Sequence, residues 1–130
     1  MDRWLLVAAG GALGAMARYG TGGQVARWLG PSAPFGAATG TFAVNILGGL
    51  LMGLLAGWLA WRGEGGETWR LFLGVGVLGG FTTFSAFSLD LVLMVERRDY
   101  AQAAAYGVLS ALLAAGALFA GLIIARRMFA

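Results

Sequence analysis

The stretch Gly79-Gly80-Phe81-Thr82-Thr83-Phe84-Ser85-Ala86-Phe87-Ser88 interrupts an otherwise apolar run with two glycines and four hydroxyl residues. Within hydrocarbon every backbone amide and carbonyl needs a partner, so such an interruption is tolerable only where protein or a wet cavity surrounds it. Two readings follow. Either the helix breaks, freeing carbonyls as cation ligands and amides as anion donors, or it continues while its hydroxyls bond back to the i−4 carbonyls. Phe84 and Phe87 lie three apart and project from one side of the helix. The pair is either ordinary packing or a set of ring edges, the positive rim of the aromatic quadrupole, turned toward a small anion.

Outward from this segment, the rest of the 130-residue chain is almost all membrane-spanning in character. It is 59% hydrophobic and 12% charged, with a mean hydropathy of +0.78, against about 45–50% apolar for a soluble domain. Four apolar runs, residues 4–29, 35–61, 69–95 and 100–125, each exceed the ~20 residues that cross a bilayer core. They are separated by Gly30-Pro31-Ser32-Ala33-Pro34, by Arg62-Gly63-Glu64-Gly65-Gly66-Glu67-Thr68 and by Glu96-Arg97-Arg98-Asp99. The expected fold is an all-α, single-domain bundle of four transmembrane helices with the third broken near its middle. A signal peptide over residues 1–29 is the competing account of the first run, but Arg18 in its middle fits that pattern poorly.

With no cysteine and no histidine, thiolate chemistry, zinc–thiolate sites and the commonest general base are absent. Enzyme function is therefore not expected. All nine basic residues are arginines, placed mainly at the ends of apolar runs, which reads as membrane anchoring and not as a nucleic-acid footprint. Four crossings place Arg3, Arg62, Arg70, Arg126 and Arg127 on one side and Arg27, Arg97 and Arg98 on the other. Five against three is a weak orientation signal. It is compatible with dual topology, for which the natural assembly is an antiparallel homodimer, and with a single biased topology.

Small residues recur four apart, as in Gly10/Gly14, Gly36/Gly40, Gly49/Gly53/Gly57 and Gly76/Gly80, the spacing that lets helices approach closely in lipid. Polar residues inside the runs are few. Thr41 and Asn45 share one face of the second run, and Gln102, Tyr106 and Ser110 form a stripe on the fourth. Asn45 serves either an interhelical hydrogen bond or a ligand, and the stripe is either paired or wet.

Three of these motifs, in order, carry a resemblance that covers essentially the whole chain. They are Gly10-Gly11-Ala12-Leu13-Gly14-Ala15-Met16-Ala17-Arg18-Tyr19, Gly40-Thr41-Phe42-Ala43-Val44-Asn45-Ile46-Leu47-Gly48 and the Gly79–Ser88 segment, and together they resemble the Fluc/CrcB fluoride channels. The resemblance implies a fluoride-specific, passive channel in the inner (plasma) membrane, built as a dual-topology antiparallel homodimer with two pores. It implies that Phe84 and Phe87 are ring-edge ligands and that Asn45 hydrogen-bonds fluoride. Tyr106 and Ser110 match the family's polar track, and Thr41 joins Asn45 on the pathway. A structural Na⁺ at the dimer centre would take backbone carbonyls of Gly79 and Thr82, consistent with the oxygen preference of hard cations. Arg18 and Asp90 are vestibule or gating candidates; Asp90 replaces an expected glutamate and Ala86 an expected threonine. The rival readings are a dual-topology exporter of the multidrug-resistance type, which needs an acid in the first span that this chain lacks, and a structural membrane subunit.

Overall fold

The structure, a computed structural model, describes residues 2–129. Helix α1 (Arg3–Leu29) opens on Asp2, whose carboxylate accepts the Trp4 amide, and closes at Gly30, which adopts a positive φ of 50° ahead of Pro31. Two short 3₁₀ turns, Gly30–Ser32 and Gly36–Ala38, lead to α2 (Thr39–Arg62). That helix begins four residues later than the apolar run does. Gly36 has a φ of 56°, and Phe35 donates its amide to Thr39 Oγ1 while its ring enters an aromatic cluster with Phe42 and Tyr106.

The third element, α3 (residues 67–81), joins the α-turn Glu67–Trp69, a π-helix Arg70–Leu78 and the α-turn Gly79–Phe81. Its backbone then leaves helical geometry: Thr82 has ψ 156°, and Thr83 has φ −151° and ψ 120°. Helix α4 (Phe84–Glu96) resumes with Thr83 as its N-cap, the Thr83 hydroxyl accepting the Ala86 amide, the bond that favours threonine at this position. A tight turn at Glu96–Asp99 leads to α5 (Tyr100–Met128).

Length and hydropathy qualify Gly36–Arg62, Glu67–Glu96 and Tyr100–Met128 as membrane-crossing segments. At 27 residues α1 is long enough as well, but its glycines and arginines dilute its hydropathy.

Glycines set the packing. Helix α1 runs parallel to α3, and a methyl group built on Gly14 would run into the Val77 carbonyl, one on Gly80 into that of Gly11. Helices α2 and α5 also run parallel, with Gly49 against Ala114, Gly53 against Leu118 and Gly57 against Ala125. Each contact sets a glycine against the neighbouring backbone or a Cβ, which is how helices gain dispersion energy where no water is expelled. Because α2 and α5 run alike, their C-terminal ends lie together, and Trp61 stacks on Phe129 there.

Candidate functional site

The interruption in the third span is held from the second. Thr83 donates its amide to Asn45 Oδ1 at 2.8 Å, and Asn45 Nδ2 donates to the Thr83 carbonyl at 3.0 Å. A carboxamide is suited to this because it offers a donor and an acceptor side by side. In a continuous helix the Thr83 amide would serve the Gly79 carbonyl; diverting it to Asn45 frees that carbonyl from its α-helical bond. The hydroxyls here divide between two kinds of bond. Thr82 Oγ1 and Ser88 Oγ bond back to the i−4 carbonyls of Leu78 and Phe84, while Thr83 caps the new helix.

Gly48, one turn after Val44 on α2, lies directly beneath Thr82, and a methyl group there would strike the Thr82 side chain and crowd the Phe81 ring. The Gly48–Thr82 contact was not singled out from the sequence, although Gly48 belongs to the same motif as Asn45.

Beside the interruption runs an open groove of about 410 Å³, lined by Asn45, Thr82, Thr83, Phe84, Phe87 and Ser110 at one end and by Met52, the alanines of α5 and Leu118 at the other. None of its lining residues carries a formal charge. Ser110 is only 6% exposed, and its hydroxyl has no hydrogen-bond partner among the described residues. A buried hydroxyl left so costs free energy unless something in the groove completes it. Phe84 is 80% exposed, and its ring lies 5.5 Å from that of Phe87, tilted by 41°. The N-terminus of α4 opens here too, adding a partial positive charge with no ionised side chain.

The groove gathers Asn45, Thr82, Phe84, Phe87 and Ser110 but not the rest of the predicted set. Tyr106 is fully buried behind Phe87, stacked at 5.3 Å and 28°, and its hydroxyl donates to Asp90 Oδ2 at 3.1 Å. Thr41 neighbours the same hydroxyl. The polar stripe of α5 therefore divides: Gln102 reaches the Pro34 carbonyl at 3.5 Å, Tyr106 pairs with Asp90, and Ser110 turns to the groove. The Asp90–Tyr106 pair meets the demand that an acid within an apolar span find a partner. That demand could have located it from sequence.

Arg18 is half-buried on α1, the helix packed on α3 away from the groove. The freed Gly79 carbonyl and that of extended Thr82 are hard oxygen donors of the kind Na⁺ accepts, and no cluster of acids exists among the described residues to do so instead. The donor set suits such an ion in kind, but one chain supplies only part of a shell.

The family model described as CrcB-like protein, Camphor Resistance (CrcB), matches residues 5–122. A protein of Phenylobacterium zucineum named fluoride-specific ion channel FluC is 66% identical over the full length of both chains. Proteins of the same name from Caulobacter vibrioides and Caulobacter sp. are 58% and 60% identical, each over at least 98% of both sequences. With a family model matching residues 5–122 and relatives alike over the full length, the chain belongs to the CrcB family.

Proposed function

We propose that the chain is a fluoride-specific channel that lets cytoplasmic fluoride leave the cell passively and so lowers its toxic concentration. The observation that carries this reading is the unpartnered Ser110 hydroxyl, buried in an uncharged groove that it shares with Asn45 and the Phe84–Phe87 pair. Several of the polar features offered there suit an anion. Ser110 has an O–H to donate, Asn45 retains one N–H beyond its bond to Thr83, the rings have positive edges, and α4 begins with its positive end. The names of the full-length relatives supply the identity of the ion.

Mechanistically, fluoride exchanges part of its hydration for these donors in sequence, and several moderate sites let it leave where one arginine would trap it. Tyr106, fixed by Asp90, supports the Phe87 ring from behind and prevents it from turning away. Arg18 and Asp90 act outside the groove, Arg18 by long-range attraction of anions toward a vestibule.

Phe84 is exposed and the groove open along one side, so a closed passage calls for a second copy. The reading includes four crossings per chain, α1 among them, and an antiparallel homodimer of dual topology in the inner membrane. At its centre the Gly79 and Thr82 carbonyls of both copies would hold a structural Na⁺, which supplies positive charge between two interrupted helices and takes no part in permeation.

The test is efflux from liposomes containing the purified protein, fluoride against chloride. Fast fluoride release with chloride retained is expected, and equal release of both, or of neither, overturns the reading. Phe84→Ile is expected to abolish efflux without loss of folding, since the ring is exposed in the single chain. Crosslinking that yields only parallel dimers would remove the dual-topology element alone.

A further inference from the structure

We infer that the end of the molecule where α2 and α5 terminate together is a binding surface for anionic phospholipid headgroups, with Arg62, Arg126 and Arg127 as the phosphate ligands. The inference is independent of the ion that the channel carries.

Parallel packing brings two helix C-termini side by side, and each presents unpaired carbonyls with partial negative charge. Arg62 lies in the last turn of α2, and Arg126 and Arg127 lie in the last turn of α5. Compensation of the two helix ends accounts for part of this clustering but not for its surroundings. The Arg62 guanidinium lies over the Trp58 ring at 5.1 Å. Trp58 meets Trp69 edge-on at 6.0 Å, and Trp61 stacks on Phe129 at 5.5 Å and 30°. Trp4 belongs to this end as well, because α1 and α3 start here. Four of the five tryptophans are thus gathered at one end.

Tryptophan marks the depth of lipid headgroups, so the three exposed guanidiniums sit at the level of the phosphates. Guanidinium is the side chain best shaped to grip phosphate in two places. Exposed Trp61, Ile124 and Met128 beside them offer apolar surface to acyl chains, which favours a lipid over a free phosphate. The carboxylates of this end compete little. Asp2 caps α1, and Glu67 is held by Arg70 at 2.9 Å, leaving Glu64 on the loop. At the opposite end Arg27, Arg97 and Arg98 are set against Glu96 and Asp99, so that end carries a smaller surplus.

Native mass spectrometry of the full-length protein in detergent tests this, with phosphatidylglycerol, phosphatidylcholine of the same chains, or inorganic phosphate added. Phosphatidylglycerol is expected to be retained in preference to phosphatidylcholine, with retention falling about fivefold for each of Arg62→Gln, Arg126→Gln and Arg127→Gln, the effect of about one headgroup-level charge. Arg97→Gln with Arg98→Gln is expected to leave it unchanged, and Arg126→Lys with Arg127→Lys to retain part of it in a chain whose charge is intact. Equal retention of the two lipids, an equal loss in the Arg97/Arg98 variant, or displacement of the lipid by millimolar phosphate overturns the proposal.

Discussion

Replacing Asn45 with leucine tests the link between the two middle spans. The substitution removes both bonds to Thr83, one at 2.8 Å and one at 3.0 Å, and leaves an amide and a carbonyl without partners. Each such group costs about 1–3 kcal/mol when buried. Thr83, which owns both stranded groups, is only 8% exposed, so the full range applies to each and the expected loss is about 2–6 kcal/mol in all. The chain has one way to soften the blow: Thr83 can coil back and return its amide to the Gly79 carbonyl. Doing so rotates Phe84 and the start of α4 out of the groove, which moves the damage from folding to transport. Asn45→Leu is therefore expected to lower the thermal midpoint of the detergent-solubilised protein and to abolish fluoride efflux from liposomes. Asn45→Asp, which keeps an acceptor for the Thr83 amide but adds a charge, is expected to keep more stability and still fail in flux. A leucine variant with an unchanged midpoint and normal efflux would refute the reasoning.

Three further outcomes are expected. Tyr106→Phe leaves the Asp90 carboxylate without its donor and is expected to cost about 1–3 kcal/mol, read as a lower unfolding midpoint, with efflux reduced as the Phe87 ring loses its fixed neighbour. Gly53→Ala sets a methyl against the Leu118 carbonyl, and overpacking of about 1–3 kcal/mol is expected to appear as a lower midpoint; an unchanged midpoint would mean that α2 and α5 do not pack as closely as described. Arg98 has a φ of 61° in a turn where its amide and that of Asp99 close back on Val95 and Met94. Glycine suits such a cap, so Arg98→Gly is expected to raise the midpoint by the equivalent of about 1 kcal/mol.

Much of the fold can be read from local chemistry. Gly30–Pro34, Arg62–Thr68 and Glu96–Asp99 separate the helices because glycine, proline and paired charges interrupt apolar runs at those points, and helix ends fall within a few residues of them. The late start of α2 was hidden, since Phe35 is as apolar as a helical residue and only Gly36 beside it hints at a turn. The π-helix Arg70–Leu78 leaves no signature in a run that is apolar on all sides.

At the site, residue types were legible and their partners were not. Asn45 stood out as an amide in hydrocarbon, but its bond to Thr83 spans 38 positions in the sequence, and periodicity within one helix says nothing about the next. Likewise Tyr106 and Ser110 are one turn apart, yet a small rotation sends one toward Asp90 and the other toward the groove.

The grip of Asn45 on Thr83 also bears on how the chain enters a bilayer. A third span alone in lipid would strand the Thr83 amide and carbonyl at a depth where no water reaches them. Its kink thus belongs to the assembled bundle and not to the newly inserted segment. Because α2 precedes this span in the chain, Asn45 is already made when Thr83 needs a partner.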